Sequence, residues 1–293
     1  GNSAEFGGAI YCSLSSPTVS NCIFSRNRAN SRGGAIRCFN TSIPTITNCT
    51  FIGNSAEYGG ALCCWNLSVS TLTNCSFSNN SAQYGGAIEC EKLSSAVLNN
   101  SILWRNTAGA TGNEICVGDS GSLCSLSYCC VDNTGYGGVT SNITESNCIH
   151  SDPKFVCAAA GLLRLKHDSP CIDAGDNSLV PAGVATDIMG CRRIAGSSVD
   201  IGAYEVQGII YVDAISGDDA NSGANWSNAL KTIGAGLNAA DDGWIVVVAD
   251  ATYNETSLRF NGKKIHLEGA DYYTQGAQPV IDCQQSGGAF GFS

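Results

Sequence analysis

Charge is scarce in this chain. Only 14% of the 293 residues are charged, and the 15 basic side chains are outnumbered by 25 acidic ones, leaving a net charge of −10. A nucleic-acid binder needs a basic stripe to displace counterions, so that class is excluded. Long apolar runs are absent too, and nothing reaches the roughly 18 residues that a membrane-spanning helix requires. With one Met and six Pro, and little Lys, Glu or Leu, helix is disfavoured for most of the chain. Histidine is represented by His150, His167 and His266 alone, which is too sparse for a histidine-rich metal centre.

What is abundant is glycine, 35 residues, and cysteine, 17. The odd count leaves at least one thiol without a partner in a monomer. Several disulfides would suit an oxidising, extracellular setting. Buried thiols are the alternative, and a mixture of the two is expected. No signal peptide is visible ahead of the patterned sequence, so a leader is expected on a part of the gene product outside this segment.

Repetition organises the first half. Gly-Gly pairs stand at Gly7-Gly8, Gly33-Gly34, Gly59-Gly60 and Gly85-Gly86, a period of 26 residues. Cys12, Cys38, Cys64, Cys90 and Cys116 keep that period. Phe24, Phe51 and Phe77 lead an aromatic-x-x-Asn motif ending on Asn27, Asn54 and Asn80, which degrades to Leu103…Asn106 and Cys130…Asn133. Between these markers lie short alternating runs punctuated by Gly, Asn and Ser, too brief for a helical hairpin. Two or three such strands plus turns fill one coil of a parallel β-helix, so an all-β solenoid with coils of about 26 residues is expected. Stacking about 4.8 Å apart sets every inward side chain on its own equivalent. Cys12, Cys38, Cys64, Cys90, Cys116, Phe24, Phe51 and Phe77 are therefore assigned to core ladders. Asn27, Asn54, Asn80 and Asn106 are assigned to left-handed corners with stacked amides, and Gly34, Gly60 and Gly86 to turns with positive φ.

Gly-Gly-Ala-Ile paired with Phe-x-x-Asn resembles the repeat signature of polymorphic outer-membrane proteins and related bacterial surface β-helix proteins. The likeness holds over residues 1–106 and weakens toward Asn133, where Thr111-Gly112-Asn113 replaces Gly-Gly-Ala. It implies a right-handed, pectate-lyase-like solenoid exported to the cell surface, and it brings no catalytic residues. Asp152-Pro153-Lys154-Phe155, Ser169-Pro170-Cys171-Ile172-Asp173 and Asp200-Ile201-Gly202-Ala203-Tyr204-Glu205 are similar to the closing segment of such proteins.

Three parts are thus expected: coils over 1–133, terminal coils and a cap over 134–207, and over 208–293 a capping helix with the first coils of a following β-helix. In the last part Ser227 is the expected cap of a helix bearing Leu230, Ile233 and Leu237, and strands follow at Trp244–Val248, Lys264–Leu267 and Val280–Cys283. Body, closing segment and new beginning in that order suggest a permuted cut. Phe292-Ser293 followed by Gly1-Asn2 would spell another Phe-x-x-Asn, so Gly1, Asn2, Phe292 and Ser293 are the expected assembly ends.

The functional expectation is a structural protein: a unit of an extracellular fibre or cell-surface adhesin, its copies stacked head to tail, with no catalysis, no cofactor and no membrane insertion. Matrix polysaccharide is a further candidate partner. A polysaccharide lyase or hydrolase, or a carbohydrate-binding module, is the rival, and a fragment without independent role is a third reading. Among the exact repeats, Glu5 and Glu57 share a position that Gln83 breaks, and Arg26 and Arg105 share another, so neither makes an acid–base cluster. Asp218, Asp219 and Asn221, and separately Asp173, Asp176 and Asp187, offer oxygens to Ca²⁺. Neither set has the spacing of a twelve-residue calcium loop, and turn formation explains them more simply.

Overall fold

A computed structural model describes residues 1–271 and 276–291. It divides into two compact units, Gly1–Glu205 and Val206–Ser293. Phe292 and Ser293, two of the expected assembly ends, lie outside the described residues.

The first unit is a parallel β-solenoid with three main faces. Strands Ile10–Ser13, Ile36–Phe39, Leu62–Trp65, Ile88–Glu91, Ile115–Val117 and Tyr136–Gly138 form the first face. Thr18–Ser20, Thr45–Thr47, Val69–Thr73, Ser95–Asn99, Leu123–Ser127 and Ile143–Ser146 form the second. Ile23–Ser25, Thr50–Ile52, Ser76–Ser78, Ile102–Trp104 and Cys130–Val131 form the third. A narrow fourth strip, carried by Ser3–Phe6, Arg28–Arg32, Ser81–Tyr84 and Thr107–Thr111, leads into the first face.

Register turns the repeat into ladders. Phe24 pairs with Phe51 and Phe51 with Phe77, and the rings stack 4.9 and 4.4 Å apart at interplanar angles of 9° and 1°. Cys12, Cys38, Cys64 and Cys90 stack along the inside of the first face. Cys116 breaks the expectation. Glu89 pairs with Cys116 and Cys90 with Val117, so Val117 continues the ladder while Cys116 points outward. The cause is an extra residue in the fourth strip, where Ala82 pairs with Ala108 but Tyr84 with Thr111. Since strand side chains alternate, a slip of one residue exchanges the faces.

The asparagine and glycine assignments are also refined. The left-handed residues at the strip corner are Arg26, Gly53, Asn79 and Arg105, each directly before the ladder asparagine, and Asn21, Asn48, Asn74 and Asn100 occupy a second left-handed corner. Asn27, Asn54, Asn80 and Asn106 instead carry a buried amide column. Asn54 Nδ2 donates to Phe24 O at 2.9 Å and to Asn80 Oδ1 at 2.9 Å, and Asn80 repeats the pattern toward Phe51 O and Asn106 Oδ1. The column ends on Glu114, whose carboxylate accepts from Asn106 N and Nδ2. In the glycine pairs, positive φ belongs to the first member, as at Gly33, Gly59 and Gly85. The second member is required by close approach. A Cβ on Gly34 would lie 2.0 Å from Gly60 O, one on Gly60 2.1 Å from Gly86 O, and one on Gly86 2.2 Å from Asn113 O.

Residues 134–152 add one partial coil. Residues 153–205, expected to close the stack at its end, run along its flank over the third face. Thr186 O accepts from Asn48 Nδ2, Ala158 O from Asn79 Nδ2, and Asp176 O from Asn100 Nδ2, while Ala203 N donates to Ser76 Oγ. These are side chains of three successive coils, which a plug on the last coil could not reach. The flank is held inside by Arg193, 1% exposed, whose Nη2 donates to Glu205 Oε2 at 2.7 Å.

The second unit is built on the parallel strands Ile209–Val212, Ile245–Ala249 and His266–Ala270. Its helix spans Ile233–Ala239 and packs Ile233 and Leu237 onto Ile210, Val212, Val246 and Val248. Thr232, rather than Ser227, caps it, through Oγ1 accepting from Ala235 N. The late start has a cause: Asp219 accepts from Lys231 N, Thr232 N and Thr232 Oγ1, holding those residues extended, and Leu230 pairs with Val212 outside the helix. Both helix ends are satisfied by one later loop. Glu255 accepts from Ile233 N and Gly234 N, and Lys263 Nζ donates to the carbonyls of Leu237, Asn238 and Ala240, the polarity that the helix dipole favours.

Candidate functional site

The residues beside each ladder cysteine face outward, and they build the most chemically varied surface of the first unit. Tyr11, Arg37, Cys63, Glu89 and Cys116 form one outward column of the first face, and Phe39, Trp65 and Glu91 the next. The fourth strip folds against this face and contributes Phe6, Arg32, Tyr58 and Tyr84.

Two arginines organise the groove between them. The Arg32 guanidinium lies 4.1 Å from the Tyr58 ring centroid and 3.4 Å from that of Trp65. Its Nη1 is 3.8 Å from Glu89 Oε2 and 3.5 Å from Glu91 Oε2. Arg37 stands 4.0 Å over Phe6 and 4.8 Å over Phe39. Its Nε is buried without a hydrogen bond, so its charge rests on ring faces, and burial lowers its pKa. Tyr58 and Tyr84 stack at 5.1 Å.

Beneath them sits a sealed acid–thiol pair. Cys63 Sγ donates to Glu89 Oε2 at 3.0 Å, and the two residues are 0% and 1% exposed. Burial holds the Glu89 carboxyl up at about 8, against the Cys63 bond and the Arg32 charge, which pull it down. Burial likewise raises the Cys63 thiol, and Glu89 adds to that. Cys116, beside both glutamates, is pushed to about 11, chiefly by burial. Glu89 and Glu91 share a face, but only Glu91 reaches solvent. The groove therefore presents flat rings, a guanidinium and one open carboxylate, not two accessible carboxyl groups flanking a bond.

Residues 2–122 match the family model described as a right handed beta helix region. The coil stack is a right-handed β-helix. No curated protein and no solved structure matches the chain.

The other candidate residues lie elsewhere in the two units. Glu5 and Glu57 are exposed on the fourth strip, Glu5 accepting from Asn30 Nδ2. Arg105 faces Asp152 at 3.9 Å, three coils from Arg26. His150 and His266 pair with Glu145 and Glu268 at 3.1 and 3.0 Å. Asp176 and Asp218 accept turn amides from Ser178 and Ala220, Asp173 accepts from Ser198 N, and Asp187 accepts from Met189 and Cys191. Among the described residues no group of three or more His, Cys, Asp or Glu is placed to hold a metal ion. Asn2 N donates to Asn27 Oδ1, joining the amide column beside Gly1. The groove itself was missed in the sequence because only exact repeats were compared. Its signal was the residue on either side of Cys38, Cys64 and Cys90, where aromatic, basic and acidic types change from coil to coil.

Proposed function

We propose that the protein is a structural unit of an extracellular fibre or bacterial cell-surface adhesin, working as a stiff rod without catalysis or cofactor. The observation that carries this reading is the continuous stacking of the first unit. Phenyl, thiol and amide ladders run through it, and every coil repeats the backbone hydrogen bonds of the next. Strands Ser3–Phe6, Ile10–Ser13, Thr18–Ser20 and Ile23–Ser25 pair on one side only among the described residues. An edge of this kind accepts further parallel strands. On this reading a second copy supplies them from the outer strand of its second unit, His266–Ala270, and a contact that does not close on itself propagates. The excess of acidic over basic side chains leaves nucleic acid out of the partner list, and no helix of the described residues is long and apolar enough to cross a membrane.

Electron microscopy of the purified 293-residue chain across a concentration series tests the proposal. Filaments with a regular axial repeat are expected. Discrete particles of one size at every concentration would sink the fibre.

The aromatic groove favours a second reading, a surface that binds extracellular polysaccharide. Half-exposed rings stack on sugar faces, and Arg32 and Glu91 would orient hydroxyls. Trp65→Ala should then abolish retention on immobilised polysaccharide without changing filament formation. Equal retention of variant and parent would remove this reading.

A further inference from the structure

No disulfide joins the cysteines among the described residues, and most of their contacts run within two ladders. One joins Cys12, Cys38, Cys64 and Cys90, and the other joins Cys22, Cys49 and Cys75, continuing past Ser101 to Cys129 and Cys148. In both, the cysteines come from parallel strands in register. Their Cα–Cβ bonds run side by side, which opposes the near-perpendicular torsion of a disulfide.

Cys130 differs. It follows Cys129 in the chain, and adjacent strand residues leave opposite faces. Cys129 stays in the interior ladder under Cys148, in the register set by the Cys130–Ile149 bridge, with Ile149 N donating to Cys129 O at 2.8 Å. Cys130 points out of the third face toward the flank segment, where its thiol donates to Ser151 O at 3.2 Å and interacts with the thiol of Cys171. Both residues are 0% exposed. The loop carrying Cys171 is fastened there: Ile201 N donates to Cys171 O at 2.9 Å and Gly202 N to Asn100 O at 2.8 Å. These two thiols come from different layers, a coil strand and the flank segment, so the parallel in-register constraint of the ladders does not act on them.

We propose that Cys130 and Cys171 form a disulfide that locks the flank segment onto the coil stack. The oxidant is a low-molecular-weight disulfide such as oxidised glutathione. The thiolate of one cysteine attacks it, forming a mixed disulfide and releasing one small thiolate. The thiolate of the second cysteine then attacks the protein sulfur of that mixed disulfide and expels the second. Two thiol protons are released, and the electron pair reduces the small disulfide to two thiols. Both sulfurs are sealed once the flank has docked, so exchange takes place during folding, and the finished bond is shielded from reductant afterwards.

The test is to refold the reduced chain with a mixture of oxidised and reduced glutathione, alkylate the remaining thiols and map the peptides by mass spectrometry. The expected product joins the Cys130 peptide to the Cys171 peptide, in the parent and in Cys129→Ser, and not in Cys130→Ser or Cys171→Ser. Oxidised parent should melt roughly 5–15 °C above the same protein kept reduced. Alkylation of both Cys130 and Cys171 in refolded parent, or a Cys129–Cys148 product in their place, would overturn the proposal. Mapping the parent does not depend on whether the serine variants fold.

Discussion

Replacing Asn80 with alanine removes the middle rung of the amide column, and the cost can be worked from its four hydrogen bonds. Its Oδ1 accepts from Asn54 N at 3.0 Å and Asn54 Nδ2 at 2.9 Å, and its Nδ2 donates to Phe51 O at 2.9 Å and Asn106 Oδ1 at 2.8 Å. Asn54 and Asn80 are both 0% exposed, so water does not replace what is lost. Leaving the Asn54 amide and the Phe51 carbonyl without these partners costs about 1–3 kcal/mol each, so a loss of roughly 2–6 kcal/mol is expected. Asn80→Asp sharpens the test. It keeps the shape and the accepting oxygen but turns a second oxygen toward Phe51 O and Asn106 Oδ1, so at neutral pH it should be no better than alanine despite being nearly isosteric. The exposed Asn30→Ala is the control, expected within about 0.5 kcal/mol of the parent. Urea unfolding followed by far-ultraviolet circular dichroism reads all three. An Asn80→Ala loss below about 1 kcal/mol, or an aspartate variant as stable as the parent, would refute the claim that the column needs donors and acceptors in alternation.

Two further outcomes follow from the same stack. Gly60→Ala should prevent stable folding, because the new Cβ would lie 2.1 Å from the Gly86 carbonyl oxygen, whereas Gly53→Ala, with φ +64° and its nearest neighbour at 3.7 Å, should cost only about 1 kcal/mol; thermal melts of the pair check this, and equal losses would contradict it. Stability should also fall as pH rises. Glu89 and Glu114 are held up at about 8 by burial, from an ordinary 4.5, so folding favours their neutral forms; that contribution is full below about 4.5 and is lost as pH climbs through about 8, at no more than about 1.4 kcal/mol per pH unit for each group. Urea midpoints between pH 5 and 8.5 should decline in the parent and decline less in Glu89→Gln, and a flat parent profile would count against the assignment.

The coil architecture was legible because solenoid stacking converts sequence period directly into contact. The spacing of Phe24, Phe51 and Phe77 placed three rings that do stack, and the Cys12–Cys90 series placed four thiols that do align. Reading failed where a local irregularity outweighed the period. One additional residue in Thr107–Thr111 was enough to turn Cys116 outward, and the 26-residue count alone cannot register it. The glycine pairs were given a single reason where two operate, since close approach between coils leaves no trace in a preference for positive φ. The flank segment was hidden for a different reason. It has no period, and it is held largely by hydrogen bonds with Asn48, Asn79 and Asn100, corner residues whose own repeat explains them without it. In the groove, the chemistry lies in the positions that vary between coils, which a search for sameness discards.

The amide column has a direction, and Glu114 marks where it stops. Each asparagine between Asn27 and Asn80 gives to the rung after it and takes from the rung before, so any of these rungs fits above or below any other. Glu114 carries no amide, and both of its oxygens accept from Asn106, so the run of matched amides ends there. Whole coils can therefore be inserted or deleted between Asn27 and Asn106 with every amide still matched, while the Glu114 rung belongs at the end of the column. The length of such a rod is open to editing in its middle and closed at one fixed terminus.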